Sequence, residues 1–589
     1  MSGSPAASGR IYDAAIIGSG IGGTMLAAIL ARKGASVILI DEAVHPRFAV
    51  GESIVPETGA MFRVVAAKYD VPEIANLSTA FLVRRHISTN CGVKRAFSFV
   101  YQREGRPPNP LEITQFPTLT PPMGPDTHMF RQDIDAYLLA VAVKYGSEAV
   151  QKAKIAKVER EDPGYRIETS RGAVRCRFVV DAAGYNSPLA KLYGLREEPS
   201  RLRTDSRSIF THMVGVRPYD ECGPSRKEHG MPVAFHQSTL HHVFDGGWLW
   251  VIPFDNTPDS TNLLCSVGLV FDRRKFPNPE GPAEEEFRNF VSRYPTLETQ
   301  FRNARSVREW TTTGRLQYSS RRLVGDRFCL LGHAAGFIDP LFSSGIGMTV
   351  SAVDGIAEAL LPALAADDFS PERFTYFETW AQRNLDHYDC LVGRAFDSFA
   401  NFTLWNSWFR IWVLSNLWGG LGAIIRHAKY LQTGDKKVFQ ELRQAPFRGM
   451  AAGDQEHFTR LMHQASEQVQ AAMEGKHSPE EAASSIFSLI GSSGMAPTQH
   501  HLTDPNNRST STSTLLPLFR MYFWGRWRAP RWLWDTYFGS VRPPLRFGVL
   551  EEIRRQTGTS MRLARDTLFA WNWDWRRTRR ADSEATETR

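Results

Sequence analysis

The chain has 589 residues, 42% of them hydrophobic and 22% charged, which excludes a disordered or fibrous protein and calls for more than one domain. Its net charge of +8 comes from Lys and Arg spread along the chain; Arg576, Arg577, Arg579 and Arg580 lie near Trp571, Trp573 and Trp575, but no other feature points to nucleic acid. Cys91, Cys176, Cys222, Cys265, Cys329 and Cys390 form no CxxC pair or Cys/His cluster, which argues against structural zinc and a disulfide framework, leaves no metal site to expect, and points to a reducing, cytoplasmic setting.

In chain order, Met1 to Arg10 is small and polar, without the apolar core of a secretion signal. The runs Ile11 to Ile17 and Ser36 to Ile40 predict strands, and Gly22 to Lys33 predicts a helix between them, giving a parallel β-α-β unit. The stretch from Asp41 to about Tyr101 is mixed, and the proline-dense Pro107 to Pro125 predicts an irregular surface excursion. A helix follows at Asp133 to Tyr145, a buried strand at Val174 to Asp181, and short β-type runs from about Ser208 to Val270. A strand at Arg327 to Leu331 and a long helix at Gly345 to Leu364 return the chain to its first unit.

Beyond Pro371 the pattern is helical to Gln440 and again from Gln455 to Gly491, with a polar loop at Ser493 to Ser513. The apolar stretch Leu404 to Ile425 is interrupted by Asn406, Arg410 and Asn416, so it predicts a packed helix and not a membrane span. The expected architecture is α/β: a Rossmann-type core over residues 1–370 with a sheet inserted at about 205–320, then a mostly helical region over 371–589.

Gly18, Gly20 and Gly23 satisfy GxGxxG between a strand and a helix, and Asp41 ends the next strand. Such glycines let a pyrophosphate approach the helix N-terminus, and the acid suits a ribose hydroxyl, so FAD is the expected cofactor. Asp181, ending a strand before small residues, is a candidate second nucleotide contact, and Arg131 with Gln132 precedes a helix from which it can reach phosphate. Small residues from Gly332 to Gly336, then Asp339 to Ile346, lead into a helix N-terminus suited to an anion beside a flavin.

The order of these motifs, with Gly51-Glu52-Ser53 and the strand Trp248, Trp250, Ile252 and Pro253, which fits WxWxIP, resembles the flavin-dependent halogenases, and within them those acting on phenylpyrrole, phenol and tetracycline-type substrates. The resemblance spans roughly Tyr12 to Leu364, more loosely the C-terminal half. It implies that reduced FAD, dioxygen and chloride or bromide give hypohalous acid, which passes to a lysine, here Lys94. It places Glu52, Ser53 and Asp339 at the cofactor, halide at the amides of Ser344 and Gly345, and the substrate under the C-terminal helices, where Trp408, Phe409, Trp412 and Tyr430 are candidate lining residues.

The implied partners are a separate flavin reductase, since one dinucleotide fingerprint is found, and a small aromatic substrate, free or carrier-tethered, with neither nucleic acid nor membrane. Two positions depart from related patterns: His333 stands where flavin monooxygenases usually have Asp, and Phe342 where tryptophan halogenases have Glu. A monooxygenase of the same fold that does not oxidise halide, and a flavin-binding scaffold without turnover, remain open at this level.

Overall fold

A computed structural model describes residues 10–118, 125–257, 260–279, 281–443, 456–510 and 515–538. The stretch around Arg576 to Arg580, residues 119–124 of the proline-dense segment and residues 511–513 of the polar segment lie outside them.

Strand β1 (Ile11–Ile17), helix α1 (Ile21–Arg32) and strand β2 (Val37–Ile40) form the expected unit, with β1 and β2 parallel from Ala14 opposite Val37 to Ile17 opposite Ile40. Helix α1 is buried from Ile21 to Leu30, as its nearly all-apolar sequence requires. The segment after β2, mixed in sequence, supplies the buried helix α2 (Pro56–Tyr69) and the strands β3 (Gly92–Lys94), β4 (Ala96–Tyr101), β5 (Ile113–Pro117) and β6 (Asp126–His128). The proline-dense excursion therefore contains a fully buried strand, because its prolines flank β5 or close it at Pro117 and leave the ladder amides of the interior free to pair.

Helix α3 (Arg131–Lys144) leads to β7 (Glu148–Val150), β8 (Ile155–Glu161), β9 (Gly164–Thr169) and β10 (Gly172–Asp181). Next come β11 (Ser206–Val214), β12 (Ser238–Phe244), β13 (Gly247–Pro253), β14 (Cys265–Asp272) and β15 (Phe328–Leu330). One eight-stranded sheet has the parallel order β15-β10-β1-β2-β7, with β9 and β8 paired antiparallel beyond β10. The strand order reverses at β1, so the carboxyl ends of β1, β2, β10 and β15 open on one crevice.

The other eight-stranded sheet has the order β11-β14-β13-β12-β4-β5. Two of its strands, β4 and β5, come from before the region the sequence assigned to the inserted sheet. They are recruited by β12, which pairs parallel with β4 from Ser238 opposite Ala96.

Helix α4 (Gly345–Ala366) packs on α1 and α2; it is long and apolar enough to cross a membrane by composition, yet 67% of that window is buried in the protein core. Helices α5 (Thr375–Ser398), α6 (Phe402–Thr433), α7 (Glu456–Met473) and α8 (Pro479–Ser492) cover the second sheet. Trp405, Trp408, Trp412 and Trp418 of α6 are at most 1% exposed. Residues 508–510 do more than link elements: Arg508 O accepts from Gln115 N at 2.8 Å, which covers the edge of β5.

Candidate functional site

The crevice at the strand ends is an open cleft of about 2160 Å³, large beside the roughly 300–1,000 Å³ of ordinary ligand pockets. Gly18 turns the chain at φ 98°, and a Cβ at Gly23 would lie 2.1 Å from Gly18 O, so both glycines build the turn itself. A Cβ at Gly20 would meet only Arg47 Nη2, at 3.5 Å. Its bare backbone therefore serves close approach by something in the cleft, at the N-terminus of α1. Arg47 lines the cleft there, and its buried Nε has no hydrogen-bond partner. Asp41 also lines the cleft; Oδ2 accepts from the Ser19 N–H at 2.7 Å and hydroxyl at 2.6 Å. Burial pushes the Asp41 carboxyl up, but the Ser19 and Ala43 hydrogen bonds outweigh it and hold the group below its ordinary range. An unpaired guanidinium nitrogen, a glycine N-terminus and an ionised acid fit a dinucleotide such as FAD.

Arg131 lines the same cleft but grips Asp135 through Nε (2.8 Å) and Nη2 (2.9 Å) and donates to Val50 O and Gly51 O, so it holds the loop before Glu52 in place. Glu52 Oε1 meets His212 Nε2 at 2.6 Å, with the His212 ring against Phe48 and Phe254. Asp181 is corrected: its carboxylate is fully buried and accepts from Ser187 Oγ, Leu189 N and Ala183 N, while Ala182, Ala183 and Gly184 line the cleft instead. The nearest orphan donors of the following turn claim the carboxylate, so it caps that turn.

At the far end, Trp248, Trp250 and Ile252 of β13 line the cleft, whereas Pro253 turns its carbonyl to His128 Nδ1, 2.9 Å away. Asp339 Oδ1 accepts from Trp248 Nε1 and Oδ2 from Ser206 Oγ. Burial pushes its carboxyl up to about 7, against the pull of those bonds. Ser344 and Gly345 line the cleft where α4 begins, with His333 Nε2 3.4 Å from the position of a Cβ on Gly345. The imidazole thus faces the cleft at an anion-favouring helix end.

Lys94 is fully buried and does not line the cleft; Ser53, Ser343 and Thr239, which do, stand between. Nζ donates to Ser53 Oγ at 2.8 Å and to Ile54 O at 2.6 Å, and lies 3.2 Å from the centroid of the Phe97 ring. The hydroxyl directions follow from one contact. His128 Nδ1–H must donate to the Pro253 carbonyl, and burial drives this imidazole down to about 3, so it is neutral and Nε2 accepts from Thr239 Oγ1 at 3.0 Å. Thr239 then accepts from Ser53 Oγ at 2.8 Å, leaving Ser53 Oγ to accept from Lys94 and, at 3.0 Å, from Ser343 Oγ.

Above Phe97, Trp412 stands edge-on at 5.0 Å and stacks on Phe342 at 4.8 Å, with Phe99, Phe116 and Phe409 around it. Trp412 and Phe409 thus belong to the aromatic layer over Lys94. Trp408 instead binds Leu391 O and Tyr430 packs on Phe439, so these two are core. Sequence reasoning passed over Arg47 as a site residue and missed Thr239, His128 and His212. These three lie inside strands or at strand ends where nothing in spacing distinguishes them.

A family model described as Tryptophan halogenase matches residues 112–407. The chain is 40% identical over 526 residues to the monodechloroaminopyrrolnitrin halogenase PrnC of Pseudomonas fluorescens, covering 88% of this chain and 92% of that one. It is 46% identical over 445 residues to the tetracycline 7-halogenase of Kitasatospora aureofaciens, covering 75% and 80%. The crystal structure of halogenase PltM in complex with phloroglucinol and FAD superposes with a TM-score of 0.81 at 36% identity, covering 85% of this chain and 99% of that one.

Proposed function

The chain belongs to the flavin-dependent halogenases and is an FAD-dependent enzyme of that family; from that premise we propose that it chlorinates or brominates a small, electron-rich phenol or pyrrole at Lys94. The observation that carries this reading is the position of Lys94, with the Ser53 and Ser343 hydroxyls on its cleft side and the Phe97, Phe342 and Trp412 rings on the other.

Gly18, Gly20, Gly23, Asp41 and Arg47 would hold the dinucleotide portion of FAD, and Glu52, Ser53, Asp339 and His333, which line the same cleft, would serve its reactive end. Halide would sit at the amides of Ser344 and Gly345. When bound and reduced, FAD supplies hypohalous acid from dioxygen and halide. The Ser53 and Ser343 hydroxyls then offer the acid a polar passage towards Lys94, and the aromatic layer keeps bulk water from it. Halogen transfer breaks the oxygen–halogen bond with its electrons going to oxygen, forms a carbon–halogen bond from the ring, and leaves hydroxide, which the ring proton converts to water in the net reaction. Phe342 supplies no carboxylate to take that proton, which suits a phenol or pyrrole that loses it readily.

Reduced flavin comes from a separate reductase, as enzymes of this family require; the substrate is a free small molecule, as the relatives named for a pyrrolnitrin precursor and for tetracycline suggest. The six free cysteines fit a cytoplasmic setting. The test is incubation with FAD, a flavin reductase, NADH and chloride or bromide, offering phenol, phenylpyrrole and carrier-tethered pyrrole substrates, followed by mass spectrometry. Halogenated product from wild type that is lost in Lys94→Ala, with flavin oxidation intact, is expected. Hydroxylated product, or halogenation by Lys94→Ala, overturns the reading.

A further inference from the structure

We propose that Asp126 is the counter-ion that keeps Lys94 in its ammonium form, a positioning residue for the charge and the proton at the halogenating nitrogen. The proposal rests on the reading of Lys94 given above.

Asp126 lies directly opposite Lys94 in the antiparallel β3–β6 ladder, and directly opposed residues share one face with Cβ atoms about 4.5–5.5 Å apart. Lys94 has no exposed surface and Asp126 only 4%. Asp126 Oδ2 is buried without a hydrogen bond, an arrangement that is costly for a carboxylate unless a cation or a proton compensates it. The other groups facing the pair are Arg63 on α2, His128 on β6 and His241 on β12. Both imidazoles are driven down to about 3 by burial and carry no charge. Among the described residues Asp126 is the one carboxylate whose charge acts on Lys94.

Burial draws the Lys94 ammonium well below its ordinary range and Asp126 pulls it back up. Burial likewise pushes the Asp126 carboxyl up to about 7, opposed by Lys94 and Arg63. Each group thus favours the charged form of the other against the cost of burial.

The hydrogen bonds show why the ammonium matters. A neutral amine has two N–H groups, and both are spoken for, by Ser53 Oγ and Ile54 O. The third proton exists only in the ammonium. As the oxygen–halogen bond of hypohalous acid breaks, that proton goes to the departing hydroxide and makes water, while the ring forms its bond to halogen. The ring proton then passes to the Lys94 amine and restores the ammonium. Asp126 remains a carboxylate throughout and no charge is gained or lost.

The experiment compares full pH profiles of halogenation for wild type, Asp126→Asn, Asp126→Glu and Lys94→Ala, with flavin oxidation and thermal unfolding followed alongside. In Asp126→Asn the alkaline limb moves to lower pH by about one unit, a change of roughly tenfold in product above the limb. Flavin oxidation keeps its wild-type rate, and Asp126→Glu moves the limb back. An unmoved limb overturns the proposal, whether the rate is unchanged or uniformly reduced, the latter marking a purely structural role for Asp126. A profile extended to lower pH with no alkaline shift also overturns it, since the amine is then the working form. Halogenation by Lys94→Ala would instead sink the underlying reading of Lys94, so the two failures are distinct.

Discussion

The indole nitrogen of Trp248 donates to Oδ1 of Asp339 at 3.1 Å, joining the strand that carries the family signature to the turn that opens α4. Neither residue reaches the other by sequence proximity. Trp248 lies in the second sheet, and Asp339 accepts besides from Leu341 N and, through Oδ2, from Ser206 Oγ of β11. Trp248→Phe keeps an aromatic ring but removes the donor together with the nitrogen-bearing ring of the indole. It is expected to cost about 1–3 kcal/mol, read from denaturant unfolding of flavin-free protein.

Asp339 also makes stability depend on pH. Its carboxyl is raised by burial to about 7 in the folded chain from an ordinary 3.8. The folded state therefore binds a proton that the unfolded state releases, and the stabilisation is complete below about 4 and lost as pH rises to about 7. Relative to Asp339→Asn, wild type should lose up to about 1.4 kcal/mol per pH unit across that window and level off above it. Unfolding curves of both flavin-free proteins across the pH range check this; parallel curves would refute it.

Thr239→Val removes one hydroxyl from the chain His128–Thr239–Ser53–Lys94 at nearly constant volume. Ser53 Oγ then loses the acceptor of its own proton and is free to rotate, which loosens the lone pair it holds on the Lys94 ammonium. Halogenation should fall by roughly 10- to 100-fold while flavin oxidation continues at its wild-type rate, measured in the same assay by product and by NADH use. Equal loss of both rates would place Thr239 outside the halogen-transfer step.

Two of the motif glycines, Gly23 and Gly20, should separate by variant. Gly23→Ala sets a Cβ against Gly18 O and is expected to lose stability and flavin binding together. Gly20→Ala meets only the Arg47 side chain at 3.5 Å. It should keep wild-type unfolding and lose flavin affinity alone, by about tenfold or more, near 1.4 kcal/mol. Flavin fluorescence titration and thermal unfolding, run side by side, distinguish the two.

Phe342→Glu should not create a tryptophan halogenase. It would bury a carboxylate against the Trp412 ring that Phe342 stacks on, with a destabilisation of several kcal/mol. Phe342→Leu loses mainly the ring pair, about 0.5–1.5 kcal/mol. Comparison of their unfolding midpoints, with tryptophan offered as substrate, decides.

By itself the sequence determined the elements whose signal is local: the β-α-β unit with Gly18, Gly20, Gly23 and Asp41, the WxWxIP strand, the long helix at Gly345 and the helices between Thr375 and Ser492. Each is set by spacing along the chain, by apolar periodicity, or by a glycine where a Cβ would collide. What only the tertiary structure decided is which distant groups meet. Asp181 reads like a nucleotide contact because strand ends often are, yet the amides of its own turn reach it first. The pairing of β4 with β12 drew a proline-dense excursion into the second sheet. Lys94 reads like any lysine in a short strand. Burial beneath Phe97, opposition to Asp126 across the β3–β6 ladder and a hydroxyl relay from three separate segments give it its character. Those contacts span long stretches of sequence, and the low dielectric that makes them matter exists only once the chain has closed over them.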